Sequence, residues 1–251
     1  MVKIRMNNSN QLQMREQFER ILLNYRISPE GLKLLSKLSL LLLGGPSAAG
    51  RNTIIDHLIQ KGGYRLIVSD TTRKPRSNNN IPEVDGVTYH FRSEAEVLEE
   101  LKRGEFLEAE IIHDQQVSGI SIRELKTAVQ QNKIAVTDIE IGGFNNIMSN
   151  KPDTIGLLVL PPSFEEWLKR LRGRGNMPES EILNRLRTGA RIFLEAVSQS
   201  PAAIVINDDL ERSVAEIDAL AHGAKDTFID AKLKLARNLL SQTEHYLSTH
   251  S

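Results

Sequence analysis

A chain of 251 residues, 40% hydrophobic and 25% charged, can bury one good core and carry an appendage, and it reads as a globular protein. Its 32 Lys and Arg balance 32 Asp and Glu, so no positive excess is left to hold a polyanion, which argues against nucleic acid as the main partner. The absence of cysteine removes disulfides and thiolate metal sites, no apolar run nears the roughly 20 residues that span a bilayer, and the polar first residues are not signal-like, so a cytoplasmic protein without membrane contact is expected.

Residues 10 to 38 carry Met14, Phe18, Ile21, Leu22 and Tyr25 at helical spacing and break at "ISPEG", which predicts one or two helices ahead of the first strand. From Leu38 the pattern becomes strand then helix repeatedly: "LSLLLLGG", "RNTIIDHLIQKG", "YRLIVS", then "KIAVTDIE", "TIGLLVLPP", "SFEEWLKRLRG" and "AAIVIND". Short apolar runs without strict alternation suit parallel strands covered on both faces, so the fold class is α/β, doubly wound. Between Ser69 and Arg123 a polar "PRSNNNIPEVDG" loop, an alternating "VTYHF" and two short helical patterns form an insertion with its own small sheet. The tail from Ala224 to Leu247 spaces Ile229, Leu233, Ala236, Leu240 and Leu247 as an amphipathic helix. It is expected to dock on the chain's own core, with packing on the N-terminal helices, or a homodimer through the terminal helices, as the alternatives.

The segment "GGPSAAGRNT" joins a buried strand to a helix, and Gly45-x-x-x-x-Gly50 has the spacing of a phosphate-binding loop. Such a loop works because backbone N–H groups converge on one point and the helix dipole favours negative charge there. Lys and then Ser or Thr usually follow; here those places hold Arg51 and Asn52. Arg keeps the charge but reaches differently, Asn52 offers a carbonyl oxygen to a metal, and Thr53 supplies a hydroxyl one position late.

Seven further segments follow the loop in order: "VSDTTRKPR", "EVDGVTYHF", "GEFLEAE", "TDIEIGG", "LPPS", "RLRGRG" and "INDDLE". With the loop they resemble the guanylate kinase family of P-loop nucleoside monophosphate kinases, over residues 38–221. The resemblance implies a parallel five-stranded core, a monophosphate-binding insertion at 69–126 and a helical lid at 172–190, flanked by extensions at 1–37 and 222–251. It also implies Mg²⁺ and ATP as cofactors.

By the same resemblance Gly45, Pro46, Ser47, Ala48, Ala49, Gly50, Arg51, Asn52 and Thr53 form the ATP loop, and Asn207 is the adenine contact. Ser69, Arg73, Arg76 and Tyr89 would grip the acceptor phosphate, a task suited to forked donors. Guanine shows donors at N1 and its amine, so reading it takes acceptors; Glu108 falls at that place, and Glu140 stands where a second aspartate is usual. Asp138 would serve Mg²⁺ directly or through water, beside Asn52. Arg170, Arg174 and Arg185 match the lid arginines, and with Arg51 they are the expected catalytic cations. After Glu108 the chain departs from the family: "DQQVSG" replaces a tyrosine pair, leaving Ser118 or Ser121 for the base-contacting hydroxyl.

The six histidines show no metal-ligand spacing, and Trp167 reads as core. The reading that follows is transfer of the γ-phosphoryl of Mg·ATP to GMP or dGMP. Two alternatives remain: a guanylate kinase-like binding module without turnover, and a kinase for another or a modified nucleoside monophosphate.

Overall fold

The computed structural model describes residues 12–78, 81–112, 115–173, 175, 177–199 and 203–250. In chain order its elements are α1 (Arg15–Leu22), α2 (Pro29–Leu35), β1 (Leu40–Gly44), α3 (Arg51–Lys61), β2 (Tyr64–Leu66), β3 (Asp70–Thr71), β4 (Ser77–Asn78), β5 (Ile81–Pro82) and β6 (His90–Phe91). Then come α4 (Glu94–Lys102), β7 (Phe106–Ile112), β8 (Gln116–Ser121), α5 (Ile122–Gln130), β9 (Ile134–Asp138), α6 (Ile141–Asn150) and β10 (Ile155–Leu160). The chain ends with α7 (Phe164–Arg172), α8 (Glu179–Gln199), β11 (Ala203–Ile206), α9 (Leu210–Ala221) and α10 (Ile229–Thr249). No helix among the described residues is long and apolar enough to cross a membrane.

The chain divides into two compact units: Ser39–Leu66 with the residues from Lys133 onward, and the described residues up to Leu38 with Ile67–Asn132. The first is built on a five-stranded parallel sheet in the order β11-β10-β1-β9-β2, as the apolar runs predict. Its central strand, "LLLLG", is buried along its whole length, which is why it shows no alternation. Leu41, Leu43, Ile54, Leu58, Val136, Val159 and Val205 form one cluster across the sheet and α3, and each wholly buried leucine contributes about 2 kcal/mol. After β1 the strands fill one side of the sheet with β2 and β9, then the other with β10 and β11. The carboxyl end of β1 is therefore the point where strand order reverses, the usual place for a ligand in an open α/β sheet.

The tail forms a helix on this unit's own core, but its buried seam is Lys232, Ala236, Leu239 and Thr243 rather than the expected leucine stripe. Leu233 and Leu240 are half-buried instead, and Lys232 is admitted to the seam because Asp226 and Glu216 both bind its ammonium.

The other unit holds a small mixed sheet, β6-β3-β8-β7, in which β3 runs parallel to β6 and antiparallel to β8. The polar loop contains a short hairpin of β4 and β5. Ser93 starts α4 with a reciprocal capping box to Glu96. The two N-terminal helices belong to this unit: Leu12 and Phe18 pack with Val97, Leu98, Leu101, Phe106 and Val117.

Candidate active site

The loop after β1 is shaped by backbone positions that exclude side chains. Gly45 has φ +143°, and a Cβ there would lie 2.3 Å from the Val159 carbonyl oxygen. Gly50, the residue before α3, has φ +95°, and a Cβ there would lie 2.2 Å from Asn207 Nδ2. Ala48 also takes positive φ, at 66°, a strained conformation for a residue with a side chain. Gly50 brings no side-chain cap to α3, so the first-turn N–H groups at Arg51, Asn52 and Thr53 are available to an anion. Asn52 and Thr53 are exposed there.

Three side chains fix the loop from outside. The Asn207 amide donates to Ala49 O at 2.7 Å and its Oδ1 accepts from Ser213 at 3.3 Å. The Trp167 indole donates to Ser47 O at 2.8 Å, and Arg185 Nη1 donates to Ser47 Oγ at 2.8 Å. Asn207, expected at adenine, is thus buried with its amide engaged by the loop; it holds Ala49 and Gly50 in place. Trp167 is core, as expected, and is also a prop for the loop, a role its place in a helix pattern does not disclose.

Cations converge on the same end of the sheet. Arg51 donates to Ile139 O at 3.2 Å and stands 3.8 Å from Asp138, which ends β9 beside Leu43 of β1. Arg170 pairs with Glu166 at 3.0 Å and donates to Asn207 O at 3.0 Å, and Arg185 also pairs with Glu181 at 3.0 Å. Arg174 lies outside the described residues. Tyr246 of α10 accepts from Arg172 at 2.9 Å and reaches Glu179 at 3.2 Å, so one hydroxyl touches both helices that flank 173–178.

Asp138 is 43% exposed at this end of the sheet, and no group of three acidic or histidine ligands occurs among the described residues. That donor set fits Mg²⁺, which keeps several waters and is held by one or two protein oxygens plus substrate phosphates. Asp138 and the Asn52 carbonyl would supply the protein oxygens. Glu140 is exposed at the start of α6.

The residues expected at the acceptor phosphate, Ser69, Arg73, Arg76 and Tyr89, all belong to the unit with the mixed sheet. Arg73 grips Glu83 with both ends of its fork, at 2.5 and 2.7 Å, and lies over the Tyr89 ring at 4.8 Å. The bond from Arg73 holds the Glu83 carboxyl below the usual carboxylate range, and Glu83 also accepts from Arg76 N at 2.7 Å. Glu83 is therefore the arginine's partner in this structure, a carboxylate that the polar texture of its loop conceals. The Arg76 side chain is exposed, and Ser69 O accepts from His90 N.

Glu108 is buried on β7, opposite Ile120. Burial, reinforced by the charge of Glu110, pushes its pKa up to about 8. Of the two candidate hydroxyls, Ser118 lies opposite Glu110 and bonds Thr71 at 2.9 Å. Ser121 lies opposite Phe106, buried, with no hydrogen-bond partner for its Oγ among the described residues. Neither is paired with Glu108. Gly119 is required between them, because a Cβ there would lie 2.4 Å from Glu108 O.

A family model described as guanylate kinase matches residues 37–223 of this chain. Guanylate kinase 1 of Oryza sativa subsp. japonica is 34% identical over 215 residues, 81% of this chain and 54% of that protein. A guanylate kinase of Nostoc sp. is 36% identical over 186 residues, 73% of this chain and 89% of that protein. The chain spans about half the length of the rice protein and of guanylate kinase 1 of Arabidopsis thaliana, 54% and 48%. The crystal structure of guanylate kinase from Anaplasma phagocytophilum shares the fold at a TM-score of 0.57 and 21% identity, covering 76% of this chain and 88% of that one.

Proposed function

The chain belongs to the guanylate kinase family, and from that premise we propose that it transfers the γ-phosphoryl group of ATP to GMP or dGMP, giving ADP and GDP or dGDP. The observation that carries this reading is the loop at the carboxyl end of β1. Asn207 and Trp167 hold its backbone, Arg185 bonds its Ser47 hydroxyl, and Arg51 and Arg170 bond the carbonyls of Ile139 and Asn207, which follow the neighbouring strands β9 and β11. A binding module that had lost the donor site has no need of that arrangement.

The acceptor's phosphate is already an anion at neutral pH, so no general base is needed. One of its oxygens attacks the γ-phosphorus, and the bond from that phosphorus to the β–γ bridging oxygen breaks as ADP leaves. The chain's task is to orient two polyanions and offset their charge. The N–H groups of Ser47, Ala48, Gly50 and Arg51 bind the donor phosphates, and Arg51 replaces the customary lysine with a guanidinium that reaches them from the first turn of α3. Arg170, Arg174 and Arg185 close on the group in transfer and exclude water. Mg²⁺ held near Asp138 and Asn52 neutralises further phosphate charge when bound.

On the acceptor side, Arg76 and Tyr89 receive the monophosphate together with Arg73, whose bond to Glu83 yields to a dianion. Glu108 accepts from guanine N1 and the exocyclic amine, with Glu140 as a second acceptor. A coupled assay of ADP formation from Mg·ATP, run separately with GMP, dGMP, AMP, UMP and CMP, tests the proposal. Turnover with GMP or dGMP above the other monophosphates supports it; no monophosphate-dependent ADP contradicts it.

A further inference from the structure

Tyr25 lies on the N-terminal segment, before the residues that the family model matches. Its hydroxyl donates to Phe106 O at 2.6 Å and accepts from Phe106 N at 2.8 Å. Both polar groups of one residue are thus satisfied by a single side chain. β7 is an edge strand of its sheet, and a residue there whose N–H and C=O turn away from the partner strand leaves both open. Tyr25 closes that gap.

The location matters because the ladder is irregular there. Phe106 pairs with Ser121 and Glu108 with Ile120, so two steps on β7 match one step on β8, and Leu107 is the extra residue of a bulge. A bulge resets the alternation of the residues that follow and so sets the direction of their side chains. The first of them is Glu108. Burial pushes the Tyr25 pKa up to about 12, so its hydroxyl stays protonated and keeps donating, and the charges of Glu105 and Glu108 act on it in the same sense.

The segment is also fitted to this unit at other points. Gln13 N and Met14 N donate to the Glu94 carboxylate at 3.1 and 2.7 Å, and Ser28 N donates to Gly104 O at 3.0 Å. Gly104 has φ +71° and no room for a Cβ, which would lie 2.6 Å from Ser28 N.

We propose that Tyr25 is a positioning residue for acceptor-base recognition: by clamping the backbone of Phe106 it fixes the bulge that aims Glu108 at the purine. The proposal rests on the reading of Glu108 as the guanine acceptor. It makes the N-terminal helical segment a working part of the acceptor site.

The test is a double-mutant cycle on the full chain with wild type, Tyr25→Phe, Glu108→Gln and the double variant, reading GMP binding by calorimetry and ADP formation separately. Tyr25→Phe is expected to weaken GMP binding about tenfold, the factor carried by one ordinary hydrogen bond, and to leave the KM for ATP unchanged. In the Glu108→Gln background the same substitution is expected to change GMP binding less than about twofold, because its effect runs through the missing carboxylate. Equal weakening in both backgrounds, or none in either, overturns the proposal. Wild type that binds GMP without turnover contradicts the kinase reading alone; wild type that does not bind GMP contradicts both.

A second readout needs no variant. If the clamp favours GMP binding, GMP must favour the clamp by the same factor. Hydrogen exchange of the Phe106 amide in the wild type should therefore slow when GMP is added, and an unchanged rate overturns the proposal.

Discussion

The indole Nε1 of Trp167 donates to the backbone carbonyl of Ser47 at 2.8 Å. Because Trp167 is the only tryptophan and is wholly buried, its emission comes from one site, bonded to the loop and packed on Phe164 and Phe193. Adding Mg·ATP to the wild type should shift that emission, and GMP alone should not. Trp167→Phe keeps the aromatic contact with Phe193 but leaves the Ser47 carbonyl unpaired, which should cost about 1–3 kcal/mol in denaturant unfolding. An unchanged midpoint would remove the indole's role as a prop.

Gly50 and Gly63 separate backbone strain from collision. Both have positive φ, at +95° and +83°, but only at Gly50 would a Cβ strike a neighbour. Gly63→Ala should cost about 1–2 kcal/mol of stability and leave the thermal shift by ATP intact. Gly50→Ala pushes the Asn207 amide off the Ala49 carbonyl and should abolish that shift. Equal behaviour of the two variants in a thermal-shift titration would contradict the geometry of the loop.

The Arg73–Glu83 pair makes a prediction of opposite signs for stability and ligand response. Glu83→Gln leaves a largely buried guanidinium without its counter-charge, a loss of about 3–5 kcal/mol in typical buried pairs. The phosphate of GMP then becomes its best partner. Thermal melts should show a less stable free protein and a larger upward shift with GMP than in wild type; a smaller shift would place Arg73 away from the acceptor phosphate.

Glu108 couples binding and stability to pH. Its folded-state pKa of about 8 lies above its ordinary 4.5, so the folded protein holds the proton more tightly than the unfolded chain. This contribution is complete below pH about 4.5 and fades as pH rises towards about 8. Glu108→Gln should flatten that slope of stability against pH. Guanine donors favour the carboxylate, so GMP should expel a proton on binding near pH about 7.5, where the phosphate, with its second pKa near 6, is already ionised. Calorimetry in two buffers of different ionisation heat would show the release, and Glu108→Gln should abolish it. Release that persists in the variant would assign the proton to another group.

The parts that were legible in the sequence are those encoded locally. The "LLLL" run of β1 declares a strand buried on both faces, the Gly45 to Gly50 spacing declares the loop, and "SFEEW" shows the Ser163 cap that starts α7. What stayed hidden depends on partners far apart in the chain. Tyr25 meets Phe106 across 81 positions, and Asn207 meets Ala49 across 158. Neither residue type announces such a contact, since tyrosine fits a helical stripe and a strand-ending asparagine fits a turn. The seam of α10 departs from the leucine pattern because Lys232, polar by type, is satisfied there by Asp226 and Glu216.

The proposed function requires the loop to support phosphoryl transfer with Arg51 in place of lysine. Its most direct measurement is the kcat for ADP formation with Mg·ATP and GMP in wild type and Arg51→Ala, both confirmed folded by their melting temperatures. Turnover is expected in wild type, with a fall of about 100-fold to 1000-fold in the variant, the cost of removing one oriented donor from a transition state. Equal rates in the two proteins, or no GMP-dependent ADP from wild type, would contradict it.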